Sequence, residues 1–185
     1  MSIKGFIRQA LDMNRRDLLE IVRELSGEEL AWKPAPHANS IGFLLWHMAR
    51  VEDGWIQRPV QRIPHLWVSE NWHEKFGMPE DQRDMGYGYT QEQIESQRPA
   101  PLKLLLDYGE AVRNATIAFI DSWDPETDDR QVKAAWGMIS VTDVFQILIW
   151  ELNQHGGQAG YIKGLRKGLL RPDYMGPLSL TQPLV

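Results

Sequence analysis

Residues 140–167 read SVTDVFQILIWELNQHGGQAGYIKGLRK. Ser140 followed by Asp143 three residues on fits a capping box, so a helix is expected to start there and run to about Lys167. On a wheel of 100° per residue, Val141, Val144, Leu148, Glu151, Ala159 and Ile162 all fall within about 40° of His155. One apolar stripe of this length needs other helices to cover it, which points to a bundle. Only Glu151 and His155 interrupt the stripe. A charged carboxylate without a partner on a core face costs several kcal/mol, so Glu151 requires a counter-charge or a cation.

Three further long helices can be read outward from this one. Ile7, Leu11, Leu18, Ile21, Val22 and Leu25 recur at helical spacing, with Gly27 after Ser26 as a stop. The aperiodic LAWKPAPHANS ends in a polar N-cap, Asn39 or Ser40, ahead of the apolar run IGFLLWHMARVEDGWI. After Pro99 and Pro101 a third stripe carries Leu105, Gly109, Val112, Thr116, Phe119 and Trp123. Between the second and third helices, residues 58–90 form a long insertion rich in proline, glycine and aromatic rings. One short helix from Ser69 is expected there, ended by Gly77 and Pro79, and Thr90 with Gln93 makes another capping box. VKAAWGMI is short enough to be an extended piece, and the tail from about 168 to 185 is expected to be irregular. The predicted fold is all-α, a single four-helix-bundle domain over residues 1–185.

Composition excludes several classes of function. The chain has 185 residues, 43% of them apolar, which suits one buried core. Twenty Lys and Arg stand against 25 Asp and Glu, and no basic stretch interleaved with aromatics suggests a nucleic-acid partner. With no cysteine there is no thiol nucleophile or disulfide framework, so thiol chemistry would need a thiol from a small molecule. The first turns carry charges throughout, and no run of about 18 apolar residues occurs. A cytoplasmic protein with no membrane partner is expected.

Residues four apart on a helix share a face, so Glu151 and His155 can turn a carboxylate and an imidazole toward one cation. The second helix offers a third donor, His47, on the side of Phe43, Leu44, Val51 and Gly54. Two histidines and one carboxylate form a ligand set for catalytic zinc and for non-haem iron, with positions left open. Two other accounts remain. An ExxxH spacing arises by chance, and a lone core histidine is commonly just hydrogen-bonded. Arg50, one turn after His47, could also reach Glu151 as a buried ion pair, leaving a bundle that binds a small ligand or protein partner without a metal. Gln158 could orient either arrangement. Gly156, Gly160 and Gly164 form a row that allows close helix packing or gives a ligand room beside His155. His37, His65 and His73 are expected at the surface.

Three stretches, ELSGEELAWKPAPHANSIGFLLWHMARVEDGW, NWHEKFG and ELNQHGGQAGYIKGL, resemble the DinB-like superfamily of four-helix proteins. In that family a second-helix histidine and a pair on the last helix hold a divalent metal, commonly nickel or zinc, with iron in some relatives. By position these correspond to His47, Glu151 and His155, with Glu151 standing where the family pattern has a histidine. The carboxylate adds negative charge and favours a harder or more Lewis-acidic cation. The resemblance implies an up-down-down-up topology and a homodimer. It also implies an activity such as transfer of a low-molecular-weight thiol onto a small electrophile, or hydrolysis. Trp67, Trp72 and His73 of the insertion, with Tyr87 as a further candidate, are expected on composition to cover the site.

Overall fold

The computed structural model describes residues 1–128 and 130–168. The tail expected to be irregular therefore lies, apart from Gly168, outside the described residues. Four long helices dominate: α1 (Ile3–Val22), α3 (Ile41–Trp55), α7 (Leu102–Ser122) and α8 (Val141–Lys167). Their starts follow the capping residues. Ser40 accepts from the Phe43 amide, so of the two candidate caps of α3 it is Ser40 that serves. Ser140 and Asp143 close a reciprocal capping box on α8.

Shorter elements depart from the expectations. α1 ends at Val22, short of the stop expected at Gly27. Ser26 instead makes a capping box with Glu29 that opens the one-turn α2 (Gly27–Ala31). The helix expected from Ser69 is replaced by two single turns, α4 (Leu66–Ser69) and α5 (Trp72–Phe76), split by Asn71 in a left-handed conformation at φ 54°. Gly77 ends α5 at φ 62°, as a left-handed cap glycine does. Residues Ile56–Gln61 continue α3 as a π-helical segment around Pro59, and Arg62 at φ 62° closes it. α6 (Gln91–Ser96) starts at the predicted Thr90–Gln93 box. The extended piece is a hairpin of β1 (Gln131–Ala134) and β2 (Gly137–Ser140), with Gln131 opposite Ser140.

Paired contacts fix the helix directions. Lys4 donates to the Asp121 carbonyl at 3.0 Å, Arg15 pairs with Glu110 at 2.7 Å and Arg113 donates to the Leu11 carbonyl at 2.8 Å, so α1 and α7 are antiparallel. Gly42 lies against Pro99 and Glu52 pairs with Arg113, so α3 and α7 run parallel. Lys163 and Lys167 donate to the carbonyls of Glu20 and Glu24, so α8 runs parallel to α1. The topology is up-down-down-up. Parallel neighbours cannot be joined by a tight turn: after α3, about 22 Å long at 1.5 Å per residue, the chain must travel back before α7 can begin. Residues 56–101 are that return crossover. In crossing, they lie against α3 and reach the site.

Besides the candidate site residues and a few single polar groups, two ion networks interrupt the apolar core among the described residues. Arg113 makes a two-pronged contact to Glu52 at 2.8 and 2.9 Å and also holds the Leu11 carbonyl, tying α1, α3 and α7 together. Fully buried Arg50 and Asp53 form the other, treated below. No described helix is long and apolar enough to cross a membrane.

Candidate metal centre

His47 on α3 and Glu151 and His155 on α8 come together across the antiparallel helix pair, each offering a ligand atom, all within 4.8 Å of one another. Each imidazole is held from behind. His47 Nδ1 is bonded to the Met85 carbonyl, and His155 Nδ1 lies 3.0 Å from Gln158 Oε1. Because a carbonyl oxygen accepts, Nδ1 of each ring is the donor; His47 then turns its Nε2 lone pair inward, while His155 Nε2 faces the Glu151 carboxylate and has to give up its proton before it can ligate a cation. His47 is further fixed by Phe43, stacked at 5.7 Å and 14°, and by Tyr87 and His155, edge-on at 4.9 and 4.8 Å.

Glu151 is the negative centre of the group. Its Oε2 lies 3.1 Å from His155 Nε2 and its Oε1 accepts a hydrogen bond from the Tyr87 hydroxyl. The His155 bond lowers the Glu151 pKa against the opposing effect of burial, and Tyr87 adds to the lowering. The same bond raises the His155 pKa. Burial lowers the pKa of His47, partly offset by the Met85 carbonyl. The Tyr87 hydroxyl is pushed well above its ordinary range by burial and by the carboxylate it donates to. Two imidazoles beside an ionised carboxylate fit a divalent cation chemically, with the cation taking the place of the proton shared by His155 and Glu151.

Arg50 does not pair with Glu151. It pairs within its own helix with Asp53, at 3.5 Å, and donates to the carbonyls of Asp81, Gln82 and Asp84 at 3.1–3.2 Å, with its guanidinium 4.5 Å over the Trp67 ring. A planar guanidinium with several donors is satisfied by carbonyls of the crossover, so none is left for α8. The ion-pair account of Glu151 is overturned. Trp67, Trp72 and His73 do not cover the site either. Trp67 and Trp72 pack on Tyr108 at 5.5 and 5.3 Å, and His73 Nδ1 bonds the Trp67 carbonyl at 3.0 Å. None of their hydrogen bonds or ring contacts among the described residues goes to His47, Glu151 or His155. His65, expected at the surface, is 3% exposed, and His73 is mostly covered.

The covering residues come from MGYGY, residues 85–89. Met85 supplies the carbonyl for His47, and Tyr87 supplies the hydroxyl for Glu151. Between them Gly86 adopts φ 87°, and a Cβ there would stand 2.7 Å from Phe43 Cζ, so glycine lets this backbone lie on α3. Two glycines alternating with aromatics were the signal available in the sequence. In the glycine row of α8, only Gly160 meets another helix, with Ile21 at 3.5 Å, while a Cβ on Gly156 or Gly164 would meet open space.

The DinB superfamily profile matches residues 10–159. The chain belongs to the DinB superfamily. A crystal structure of a conserved protein from Enterococcus faecalis is similar, with 26% sequence identity and a TM-score of 0.79 over 89% of this chain and 97% of that one. No curated protein matches this chain significantly. The DinB-type bundle thus places its candidate ligands on the second and last long helices, His47 on α3 and the Glu151–His155 pair on α8.

Proposed function

We propose that this DinB-superfamily protein is a divalent-metal-dependent enzyme that uses nickel, zinc or iron and transfers a low-molecular-weight thiol onto a small electrophile. The observation that carries the proposal is the convergence of His47, Glu151 and His155 within 4.8 Å, with both imidazoles already fixed through Nδ1. A bound cation supplies Lewis acidity that makes an incoming thiol a nucleophile at neutral pH. The chain does the rest. His47 and His155 present Nε2, Glu151 offsets cation charge, and the Tyr87 hydroxyl and Gln158 amide keep Glu151 and His155 aimed. The thiol comes from a cosubstrate because the chain has no cysteine. An apolar electrophile has a place in a cavity of about 240 Å³ whose wall includes Phe43, Trp46, Phe76 and Tyr89; Phe43 is the ring that stacks on His47.

A homodimer belongs to the same reading, supported by Trp150, Tyr161 and Leu165 standing more than half exposed on α8. Light scattering of the purified chain tests it, and a monomer mass at micromolar concentration removes it.

The deciding experiment is elemental analysis of protein purified without chelator or a metal-binding tag, beside His155→Ala. About one zinc, nickel or iron per chain, lost in the variant, is expected. Assays of thiol transfer onto electrophiles follow with the loaded protein. A chain that takes up none of the three cations, even when each is supplied, would sink the proposal.

A further inference from the structure

A second cavity, of about 860 Å³, lies between the π-helical segment, residues 80–85 of the crossover and the hairpin. Its wall includes Arg58, Arg62, Arg83 and Lys133, four cations against the carboxylates of Glu80 and Asp81. That is a local reversal in a protein of net charge -5. The side chains of Arg62, Arg83 and Lys133 make no ion pair or hydrogen bond with the described residues, and Arg58 only donates to Gln82 Oε1 at 3.1 Å. Unpaired cations normally spread apart to lower their mutual repulsion; gathered on one concave wall, they attract an anion. One oxygen of Asp81, Oδ1, is engaged by the Arg83 amide at 2.8 Å.

The backbone here has an unusual form as well. Ile56–Gln61 is π-helical, with Pro59 inside it, and non-glycine Arg62 is held at φ 62°. Pro59 has no N–H for a regular helical bond, and π segments recur at functional sites. The turn that follows sets His65 in the cavity wall. His65 is 3% exposed, and its buried Nδ1 has no hydrogen-bond partner among the described residues. That nitrogen lies behind the cavity wall rather than open to it, so the four cations carry the recognition.

We propose that this cavity is a binding site for a small organic polyanion, recognised through phosphoryl or carboxylate oxygens by Arg58, Arg62, Arg83 and Lys133. Guanidinium forks and an ammonium are suited to both kinds of oxyanion. The site is separate from the candidate metal centre. Met85 divides them, since it lines the cavity and lays its sulfur against Gly54, while its carbonyl bonds His47 on the other side. Anion binding here does not depend on a cation at His47, Glu151 and His155.

Calorimetric titration of the full-length chain with inorganic pyrophosphate, and separately with tricarballylate, tests the site and distinguishes the two sources of oxyanion. Binding of at least one probe in the millimolar range or tighter is expected, weakening as salt is raised. Arg62→Asn, which tolerates the left-handed backbone, combined with Lys133→Ala should weaken binding by at least about tenfold with the melting temperature retained. His155→Ala should leave the affinity unchanged. No heat with either probe, equal affinity in the Arg62/Lys133 variant, or loss of binding in His155→Ala would each overturn the assignment, the last by moving the anion to the metal centre.

Discussion

Gln158 and Tyr87 touch the candidate ligands without being ligands themselves, and they offer the sharpest residue-scale tests. Gln158→Ala frees the His155 ring, and partners of this kind are typically worth about 10- to 100-fold in metal affinity. A competition titration with a chromogenic chelator should show a loss on that scale while kcat for any metal-loaded activity falls less. Unchanged affinity would leave Gln158 as a bystander. Arg50 predicts something different. Its substitution by alanine leaves Asp53 buried, with its remaining bonds from the Leu66 and Trp67 amides and the Tyr108 hydroxyl, and unties the carbonyls of residues 81–84. A loss of about 3–5 kcal/mol in urea denaturation is expected, in contrast to a change near zero if the guanidinium were merely solvated. The Arg50–Asp53 pairing was within reach of the sequence, since residues three apart on a helix are neighbours. Periodicity alone does not choose between Asp53 on the same helix and Glu151 across the bundle as the partner of Arg50.

Among the elements, the MGYGY segment is the one the site depends on most. Gly86 and Gly88 both have positive φ, at 87° and 67°, but only a Cβ on Gly86 meets a neighbour, Phe43 at 2.7 Å. Gly88→Ala should cost only about 1 kcal/mol of backbone strain. Gly86→Ala should cost clearly more, and by lifting Met85 and Tyr87 off α3 it should also weaken metal binding. Equal melting temperatures for the two variants would show that this segment does not press on the helix. The long helices were legible because they carry period and caps: Ser40, Thr90 and Ser140 open helices where the pattern placed them, and His47, Glu151 and His155 lie on the faces that the wheel assigned. The remainder of the site was not legible, because the crossover has no period to project. Composition favoured Trp67 and Trp72, yet large rings pack best where they are most buried, and the half-exposed Tyr87 reaches Glu151 instead.

For the whole molecule, the Glu52–Arg113 network links three helices and couples the fold to pH. Burial alone would raise the Glu52 pKa, but the guanidinium outweighs it and holds the carboxyl below its ordinary value of 4.5. A depressed carboxylate contributes its stability in full above that value and loses it as pH falls through the folded value. The urea midpoint should therefore drop below pH 4.5. A Glu52→Leu, Arg113→Met double variant, which removes both charges together, should show a shallower acid decline, and an identical decline would assign the acid sensitivity elsewhere. The placement of Glu151 and His155 on the last long helix has a consequence for biosynthesis. A nascent chain on the ribosome can form α1, α3 and the crossover while holding only His47 of the three donors. A cation held by all three donors could therefore be captured only once α8 has emerged from the ribosome, at or after the docking of that last helix.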